Sequence, residues 1–543
     1  MSLQTVQSGG GGGRYDSETE TLQLTCVPLS ESVVELVAAH LSASQHDQRV
    51  RHAQLASCGL TQRCFGALCE RLLAPAAAAL QSVELDDNDL IGDDVRLLVA
   101  MLLASPTLAL SRLSLEHTGL SRVSVGAVQQ LLTAPQCALR ELNCSNNELD
   151  DAGLAELAPA LAANTSLVGL WLCDNELTDV AARRIASALE SNTTLLSIYM
   201  HDNMIGDRGA AALAAALEHE RARLQLLDLG VNELSAHGVA ALAAMLERNT
   251  SLRALMLEAN EFGAQGTCML ARALSQNRTL EALSLGNNAV GDEGAVALGA
   301  MLQQNCTLRG LDLRGCGVEG DGLVALADAL RVNRGLAALN LDDNELPDDA
   351  VAHFFAAIGS SDDVRLTKLG MCECGLSDEV ALQIAQCIAR NRSLAILRLD
   401  DNLLTSDAVC VIAEALKTNT TLVELSLSGN DVSADAGLAI IDMLRLNITL
   451  LSLTIDHAVF SAHDAVMIEA LLKRNDAIAP HKVAPILLDV ALALAPLKLP
   501  TYVLLEIVDW FPFFVALSRS WKISRLERVR DSVKRVRGNR YFE

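Results

Sequence analysis

The chain is poor in large side chains: aromatic residues make up 3% of its 543 residues, whereas hydrophobic residues make up 50%. A chain of this length is too long for one ordinary globular core, so it must divide into domains or extend along one axis as a repeat array. An interior with few aromatic residues has to be built from Leu, Ala and Val at recurring positions. The composition therefore favours a repeat array.

Positive charge is also scarce, because 42 Lys and Arg residues stand against 67 Asp and Glu residues and the formal net charge is −25. Contacts with phosphate groups need clustered Lys and Arg. The charge therefore argues against a nucleic-acid or anionic-membrane binder for the main body of the chain. It favours a protein partner that is basic.

Motifs of catalysis are missing as well. We find no Walker A sequence, no Gly-x-Ser-x-Gly elbow, no His-Glu-x-x-His helix and no kinase signature. Cys372 and Cys374 form a Cys-x-Cys pair, but no second cysteine pair and no histidine pair accompanies them, and a zinc site needs four ligands. We therefore expect no enzyme, no cofactor and no metal.

The fourteen cysteines are scattered without an even framework, which indicates free thiols. The N-terminus has no basic segment followed by an apolar one, so no secretory signal is predicted. Together these observations predict a cytoplasmic location, with the nucleus as the alternative. Residues 1–21, which include five consecutive glycines, are expected to be disordered.

What the chain does contain is a repeated pattern, Leu-x-x-Leu-x-Leu-x-x-Asn-x-Leu. One clear copy is Leu280, Leu283, Leu285, Asn288 and Val290. Successive copies are 28 to 30 residues apart. The fifteen copies begin at Val50, Leu80, Leu110, Leu139, Leu167, Leu195, Leu224, Leu252, Leu280, Leu308, Leu336, Leu366, Leu394, Leu422 and Leu450.

Each copy predicts one strand and one helix. The alternating Leu positions form a short strand with its apolar side inward, and the Asn side chain can satisfy backbone groups where the chain turns. In some repeats another residue holds the Asn position: Thr118, Cys316, Cys374 and Ala458. A Gly followed by Leu four and eight residues later, as at Gly153, Leu157 and Leu161, indicates one face of a helix in the second half of the repeat.

This arrangement resembles the ribonuclease-inhibitor-like subclass of leucine-rich-repeat proteins, which includes ribonuclease inhibitor, the sensor arms of NOD-like receptors and the Ran GTPase activator. The resemblance covers residues 50–477. It implies an α/β solenoid of about fifteen repeats that curves into a horseshoe, with parallel strands on the concave face and helices outside. The fold alone does not specify a function.

Two recurring features suggest chemistry but have a structural explanation. Eight Asn-x-Ser/Thr sequences lie three residues before the first Leu of a repeat, and their phase predicts a structural Asn at a helix end rather than a glycosylation site. They begin at Asn164, Asn192, Asn249, Asn277, Asn305, Asn391, Asn419 and Asn447. Acidic pairs such as Asp342 and Asp343 recur before the strand Asn, where they indicate a solvated rim rather than a general acid and base.

The residue between the second and third Leu of each repeat is expected to point out of the concave sheet. In chain order these residues are Glu84, Ser114, Asn143, Trp171, Tyr199, Asp228, Met256, Ser284, Asp312, Asn340, Gly370, Arg398, Ser426 and Thr454. Trp171 and Tyr199 are expected on adjacent parallel strands, about 5 Å apart. We interpret them as exposed anchors for a protein partner; the alternative is that they only pack on each other.

Further residues on the same face complete the predicted partner-binding site: Asp174, His201, Asp202, Asp228, Met256 and Glu258. By resemblance to ribonuclease inhibitor, an acidic concave face implies capture of a basic protein ligand. The predicted function is therefore that of a protein-interaction scaffold or sensor. Resemblance to the Ran GTPase activator implies a different alternative, regulation of a small GTPase, although the acidic C-terminal tail of that family is missing here.

The flanks of the repeats are predicted to be separate segments. Residues 22–49 are expected to form an N-terminal cap, and residues 478–518 an apolar helical segment that caps the last repeat. Residues 499–508 resemble the start of an F-box, which implies a substrate receptor of a ubiquitin ligase as an alternative function. No membrane span is expected, because charged residues interrupt the apolar segment: Asp489, Lys498, Glu506 and Asp509.

Residues 519–543 are predicted to form a basic amphipathic helix. Nine Lys and Arg residues lie between positions 519 and 540. The apolar residues at helical spacing are Ile523, Leu526, Val529, Val533 and Val536. Such a helix can dock on the acidic solenoid, contact an anionic membrane surface or bind a partner's groove, and we favour docking within the chain.

Overall fold

The computed structural model describes residues 12–16, 20–25, 29–43, 50–60, 62–90, 92–105, 108–360, 364–456 and 459–478. The chain divides into two compact units, Met1–Met256 and Leu257–Glu543. The predictions for the apolar segment beyond residue 478, the F-box-like segment and the basic helix lie outside the described residues.

The first unit alternates strands and helices. Its elements are β1 (Gly12–Asp16), β2 (Thr21–Thr25), α1 (Glu31–Ala43), β3 (His52–Gln54), α2 (Gln62–Leu68), a π-helical turn (Cys69–Leu73), α3 (Ala74–Ala76), β4 (Ser82–Glu84), α4 (Gly92–Ala104), β5 (Arg112–Ser114), α5 (Arg122–Thr133), β6 (Glu141–Asn143), α6 (Asp151–Ala163), β7 (Gly169–Trp171), α7 (Asp179–Leu189), β8 (Ser197–Tyr199), α8 (Asp207–Leu217), β9 (Leu226–Asp228), α9 (Ala236–Leu246) and β10 (Ala254–Met256). Strands β2 to β10 pair in chain order and in parallel.

The second unit continues the same alternation. Its elements are α10 (Gly263–Leu274), β11 (Ala282–Ser284), α11 (Gly291–Leu302), β12 (Gly310–Asp312), α12 (Gly320–Leu330), β13 (Ala338–Asn340), α13 (Asp348–Gly359), β14 (Lys368–Gly370), a 3₁₀ turn (Asp378–Val380), α14 (Ala381–Arg390), β15 (Ile396–Arg398), α15 (Ser406–Leu416), β16 (Glu424–Ser426), α16 (Ala436–Leu446), β17 (Ser452–Thr454) and α17 (Ala462–Ile478). Strands β11 to β17 are parallel neighbours in chain order.

The strands β3 to β17 fall one in each of the fifteen predicted repeats, which confirms the α/β solenoid predicted from the Leu pattern. The Leu positions form the core: Leu283 and Leu285 are completely buried, as are Leu170 and Leu172. On the helices the predicted face is also buried, for example at Leu157. Repeated burial of Leu at equivalent positions supplies the main favourable free energy of each repeat.

The strand Asn residues join consecutive repeats through their side-chain amides. The Asn203 Nδ2 donates to the carbonyl oxygens of Leu172 and Met200, both at 3.0 Å. Its Oδ1 accepts from the N–H groups of Asn175 at 3.1 Å and Leu177 at 2.9 Å. Where cysteine replaces Asn, as at Cys316, the thiol donates to a carbonyl of the preceding repeat instead. The Asn position of the repeat therefore has a structural role in joining consecutive repeats.

The Asn residues of the Asn-x-Ser/Thr sequences form a second ladder at the helix ends. Asn192 is buried, and its Nδ2 donates to the Leu161 carbonyl at 2.7 Å while its Oδ1 accepts from the N–H of Leu195 at 2.9 Å. An attached glycan would occupy this amide nitrogen. These hydrogen bonds explain the Asn-x-Ser/Thr sequences by local structure, as the position of the Asn residues in the repeat predicts.

The N-terminal region differs from the sequence-based expectation. Residues 1–21 were expected to be disordered, but Gly12–Asp16 form strand β1, which pairs antiparallel with β2. Strand β2 in turn pairs in parallel with β3, so the hairpin covers the edge that the first repeat would leave open. An uncovered sheet edge is costly, which gives a physical reason for order in a Gly-rich segment. Helix α1 lies within the predicted cap, residues 22–49.

Candidate binding face

Each repeat strand has three residues, and the middle Leu or its equivalent faces the helices. The first and third residues therefore lie on the opposite side of the sheet, here called the strand face. In the first unit the pairing register aligns Trp171 with Tyr199, Tyr199 with Asp228, and Asp228 with Met256. Four of the predicted site residues thus form one continuous row on β7 to β10.

Trp171 and Tyr199 are stacked in parallel, with ring centroids 5.0 Å apart and an interplanar angle of 7°. Both are buried: Trp171 is 8% exposed and Tyr199 is 1% exposed. The expectation of two exposed aromatic anchors is therefore wrong. The rings bury each other because the Trp171 ring folds back over Gly169 on its own strand, where a Cβ would lie 2.7 Å from Cη2 of the indole.

Asp228 and His201 lie next to the stack. Asp228 is completely buried, and its Oδ1 accepts a 2.9 Å hydrogen bond from the N–H of Gly230. The His201 Nδ1 lies 3.9 Å from Asp228 Oδ1, and the His201 side chain is one quarter exposed, at 25%. Met256 is buried beside Asp228. His201 is therefore a side chain next to this buried row that solvent or a partner can reach.

Asp174 and Asp202 form the exposed edge of the strand face, at the turn that follows strands β7 and β8. Both have a left-handed backbone, with φ of 50° for Asp174 and 56° for Asp202. Asp tolerates this conformation better than most residues, because its short side chain can bond locally. The same turn position is left-handed in almost every repeat, and in most repeats the residue there is exposed.

Glu258 follows β10 and belongs to the second unit. It is half-buried, and its charge contributes to the environment of Asp312 in the same unit. Burial, and to a smaller degree Glu258, raises the pKa of the Asp312 carboxyl to about 6. The structure therefore groups seven of the eight predicted residues within the first unit, and Glu258 within the second.

The strand face of the second unit carries charged residues that the sequence analysis missed. Lys368 and Glu424 occupy first positions of their strands and are buried. The Arg398 Nε lies 3.6 Å from Oε1 of Glu424. The prediction rested on the third position of each strand, whereas the strand period of two places the first position on the same face. This alternation is the signal in the sequence that identifies Lys368 and Glu424.

The cysteines that suggested a metal pair have other surroundings. Cys374 holds the Asn position, and its thiol donates to the Leu341 carbonyl at 3.2 Å. The Cys372 N–H donates to Asp342 Oδ1 at 2.8 Å, and its thiol donates to Asp400 Oδ2 at 3.5 Å. Burial, followed by the charges of Asp342 and Asp400, raises the pKa of the Cys372 thiol far above its usual range. A thiolate, the form that reacts and binds metals, is disfavoured there.

In the part of the chain that the structure describes, no helix has both the length and the apolar composition needed to cross a membrane.

The architecture defines a class of protein: an α/β solenoid with one parallel strand and one helix in each repeat. The sequence profile of the family described as "Leucine Rich repeat" matches residues 191–214, 276–299, 304–327 and 418–440. A ribonuclease inhibitor of Sus scrofa is 33% identical over 159 residues, which are 28% of this chain and 33% of that protein. The chain thus matches about a third of that relative's length. The matched repeats and this relative support a leucine-rich-repeat protein of the ribonuclease-inhibitor-like subclass.

Solved structures with a similar fold align at low scores. Leiomodin-1 actin-binding site 2 is 23% identical with a TM-score of 0.27, covering 30% of this chain and 92% of that one. The tropomodulin C-terminal domain of Caenorhabditis elegans is 16% identical with a TM-score of 0.27, covering 29% and 94%. The complex of Rad7 and Elc1 in yeast is 17% identical with a TM-score of 0.41, covering 63% and 87%. At these scores the similarities carry no argument about function.

Proposed function

We propose that this chain is a non-catalytic protein-interaction scaffold or sensor, and that a protein partner binds the strand face of the first unit at the edge formed by Asp174, His201 and Asp202. The supporting observation is that the exposed Asp174 and Asp202 and the partly exposed His201 follow the two strands that carry the buried aromatic stack. A stack that is already packed loses little conformational entropy on binding. Trp171 and Tyr199 then act as a rigid support rather than as anchors.

The chemistry of this edge favours a basic partner. Asp174 and Asp202 are exposed carboxylates on adjacent repeats, and the whole chain has a formal net charge of −25. The negative electrostatic field of these charges accelerates the encounter with a basic protein, and salt screens this field. We propose a location in the cytosol or nucleus, on the basis of fourteen cysteines without a disulfide framework.

The test is a double substitution, Asp174→Asn with Asp202→Asn, in the full chain. Asn removes the charge but tolerates the left-handed backbone, so the turn is preserved. We expect affinity for the partner captured from native lysate to fall by roughly five- to ten-fold at low salt and by less at high salt. Affinity is measured by titration of the purified partner.

The matched control is Asp343→Asn with Asp401→Asn, at the equivalent turn position of the second unit, where φ is 56° and 54°. This variant should bind as the unsubstituted chain does. Equal loss in both variants would indicate a nonspecific charge effect and contradict a site in the first unit. Loss of the partner only when residues 480–543 are removed would also contradict it, and would favour an adaptor role for that segment.

A further inference from the structure

The last four helices of the second unit carry apolar side chains that are open to solvent. Leu382 on α14 is 56% exposed, Leu438 on α16 is 67% exposed and Val466 on α17 is 66% exposed. Cys410 on α15 holds the fourth position and is partly exposed. We call these four residues the outer stripe.

The four residues occupy the same place in consecutive repeats. The middle residues of β14 to β17 are in register, and each stripe residue follows its strand residue by thirteen positions. Helices α14 to α17 also pack against one another in chain order. The stripe therefore crosses four neighbouring helices as a continuous line. In the first unit the equivalent residues are small or charged: Arg96, Gly126, Ala155, Arg183, Ala211 and Ala240.

Acidic side chains border the outer stripe on both sides along α15 and α16, and on one side just before α14. The residues three positions before and four positions after a stripe residue share its helical face. At these positions lie the exposed acids Glu379, Asp407, Asp435, Glu414 and Asp442. Burial, followed by the charges of Asp407 and Asp435, raises the pKa of the Cys410 thiol, so both carboxylates lie near the stripe.

Two of these acids already have ion-pair partners. Glu414 pairs with Lys417, and Asp442 pairs with Arg445, each within one turn of its own helix. Ion pairs between such exposed side chains contribute little. The borders therefore remain available to a positively charged ligand, and the ligand that fits is an amphipathic helix with an apolar line and basic flanks.

We propose that residues 519–540 of this chain bind across the outer stripe as an amphipathic helix. This segment has nine Lys and Arg residues against two acids, Glu527 and Asp531. Neighbouring packed helices are about 8–10 Å apart, and two turns of a helix rise about 10.5 Å. Residues seven apart, such as Leu526 and Val533, therefore meet consecutive helices of the stripe.

The connection to the rest of the chain allows this contact. Helix α17, which carries the stripe residue Val466, ends at Ile478, and 40 residues separate it from position 519. Forty extended residues span up to roughly 130 Å, so the segment reaches every helix of the stripe. Because the two surfaces belong to one chain, their effective concentration is about millimolar, and modest affinity suffices.

Zero-length cross-linking of the full chain with a carbodiimide tests the contact, since it joins a carboxylate to a lysine amine in direct reach. The segment has two lysines, Lys522 and Lys534. We expect both to be linked to the acids that border the stripe and not to other carboxylates. Mixing ¹⁵N-labelled and unlabelled chains shows whether the link lies within one chain.

Substituting Leu382→Gln with Leu438→Gln should lower the cross-link yield about ten-fold, the loss expected when two apolar contacts with the segment's apolar line are replaced by hydrated amides and no carboxylate is added. It should also speed tryptic cleavage between residues 519 and 540. The control is Val123→Gln on α5 of the first unit, where the side chain is similarly exposed at 66%. It should change neither readout, and the thermal midpoint should stay constant in all variants because the sites are exposed.

Several outcomes would overturn the proposal. Links only between labelled and unlabelled chains would assign the stripe to a second copy. Absence of links to the bordering acids, with rapid tryptic cleavage in the unsubstituted chain, would show that the segment does not bind there. Protection of the segment only after addition of phosphatidylserine vesicles would assign it to an anionic membrane surface instead.

Discussion

Gly169 and Trp171 lie two residues apart on the same side of β7, and the indole covers the glycine. A Cβ at position 169 would approach Cη2 of Trp171 to 2.7 Å and the Ser197 Oγ to 3.2 Å. Because Gly169 has no side chain, the indole of Trp171 can occupy this position. At the residue scale, Gly169 is a condition for the parallel stack with Tyr199.

Substituting Gly169→Ala should therefore destabilise the chain by about 1–3 kcal/mol, because the indole must leave a packed position. The change is measured by urea unfolding, and near-ultraviolet circular dichroism reports the altered Trp environment. The control is Gly66→Ala on α2, where a Cβ meets nothing within 4 Å. Unchanged stability and an unchanged aromatic spectrum for Gly169→Ala would contradict this role.

Asp312 is a second residue whose surroundings predict a measurable effect. It is buried on the strand face, where burial raises the pKa of its carboxyl from 3.8 to about 6. The folded state therefore binds this proton more tightly than the unfolded state. The contribution of the protonated Asp312 carboxyl to the free energy of unfolding is largest below about pH 4 and declines as the pH rises through 6.

Asp312→Asn should raise the free energy of unfolding by about 2–3 kcal/mol at pH 7.5, and the gain should be smaller by about 1 kcal/mol at pH 5. Asn keeps the oxygen that accepts the 3.0 Å hydrogen bond from the Arg314 N–H. Urea unfolding at the two pH values measures the difference. A gain that does not depend on pH would show that the effect does not come from the carboxyl charge.

At the scale of helices, an Asp of one repeat caps the helix of the next. The Asp207 Oδ1 accepts from the N–H groups of Ser235 at 2.9 Å and Gly238 at 2.8 Å, and its Oδ2 accepts from the Ser235 hydroxyl at 2.6 Å. Burial alone would raise the pKa of Asp207, but these hydrogen bonds outweigh it and lower the pKa. A Cβ at Gly238 would lie 2.5 Å from the carboxylate, so glycine permits the approach.

Removing this cap by Asp207→Ala should destabilise α9 by about 1–2 kcal/mol, the usual loss for a helix cap. Hydrogen exchange at the Ser235 and Gly238 amides should accelerate more than exchange elsewhere in the unit. Asp207→Asn keeps an acceptor oxygen and should restore most of the protection. If the alanine variant exchanges as the unsubstituted chain does, the contact between repeats contributes nothing to the start of this helix.

At the scale of the whole molecule, stability is distributed over contacts between neighbouring repeats, as expected for a solenoid. Within each unit, strands pair with the next strand in the chain, and the Asn and Asp ladders also connect adjacent repeats. Each link is local in sequence. The repeat phase therefore predicts the strands, helices and buried Leu positions without knowledge of distant contacts.

The burial of side chains on the candidate binding face was harder to predict from the sequence. The sequence alone placed Trp171 and Tyr199 on adjacent strands of one face, because the strand period and the repeat register follow directly from the Leu spacing. Their burial was decided by tertiary structure, since it depends on the rotamer that folds the indole over Gly169 and stacks it on the next repeat. Burial of one ring by another is a property of two repeats together.

The same distinction holds at the N-terminus and in the outer stripe. Composition predicts disorder for a Gly-rich segment, but pairing of β1 with β2 orders residues 12–16. The apolar residues of the stripe are dispersed at intervals of 28 along the sequence and become a line only when the helices pack in register. The amino-acid sequence by itself determined the repeat, its fold and its core, because these depend on local periodicity. Tertiary structure decided which side chains are exposed and which of them meet, because exposure depends on the neighbouring repeats.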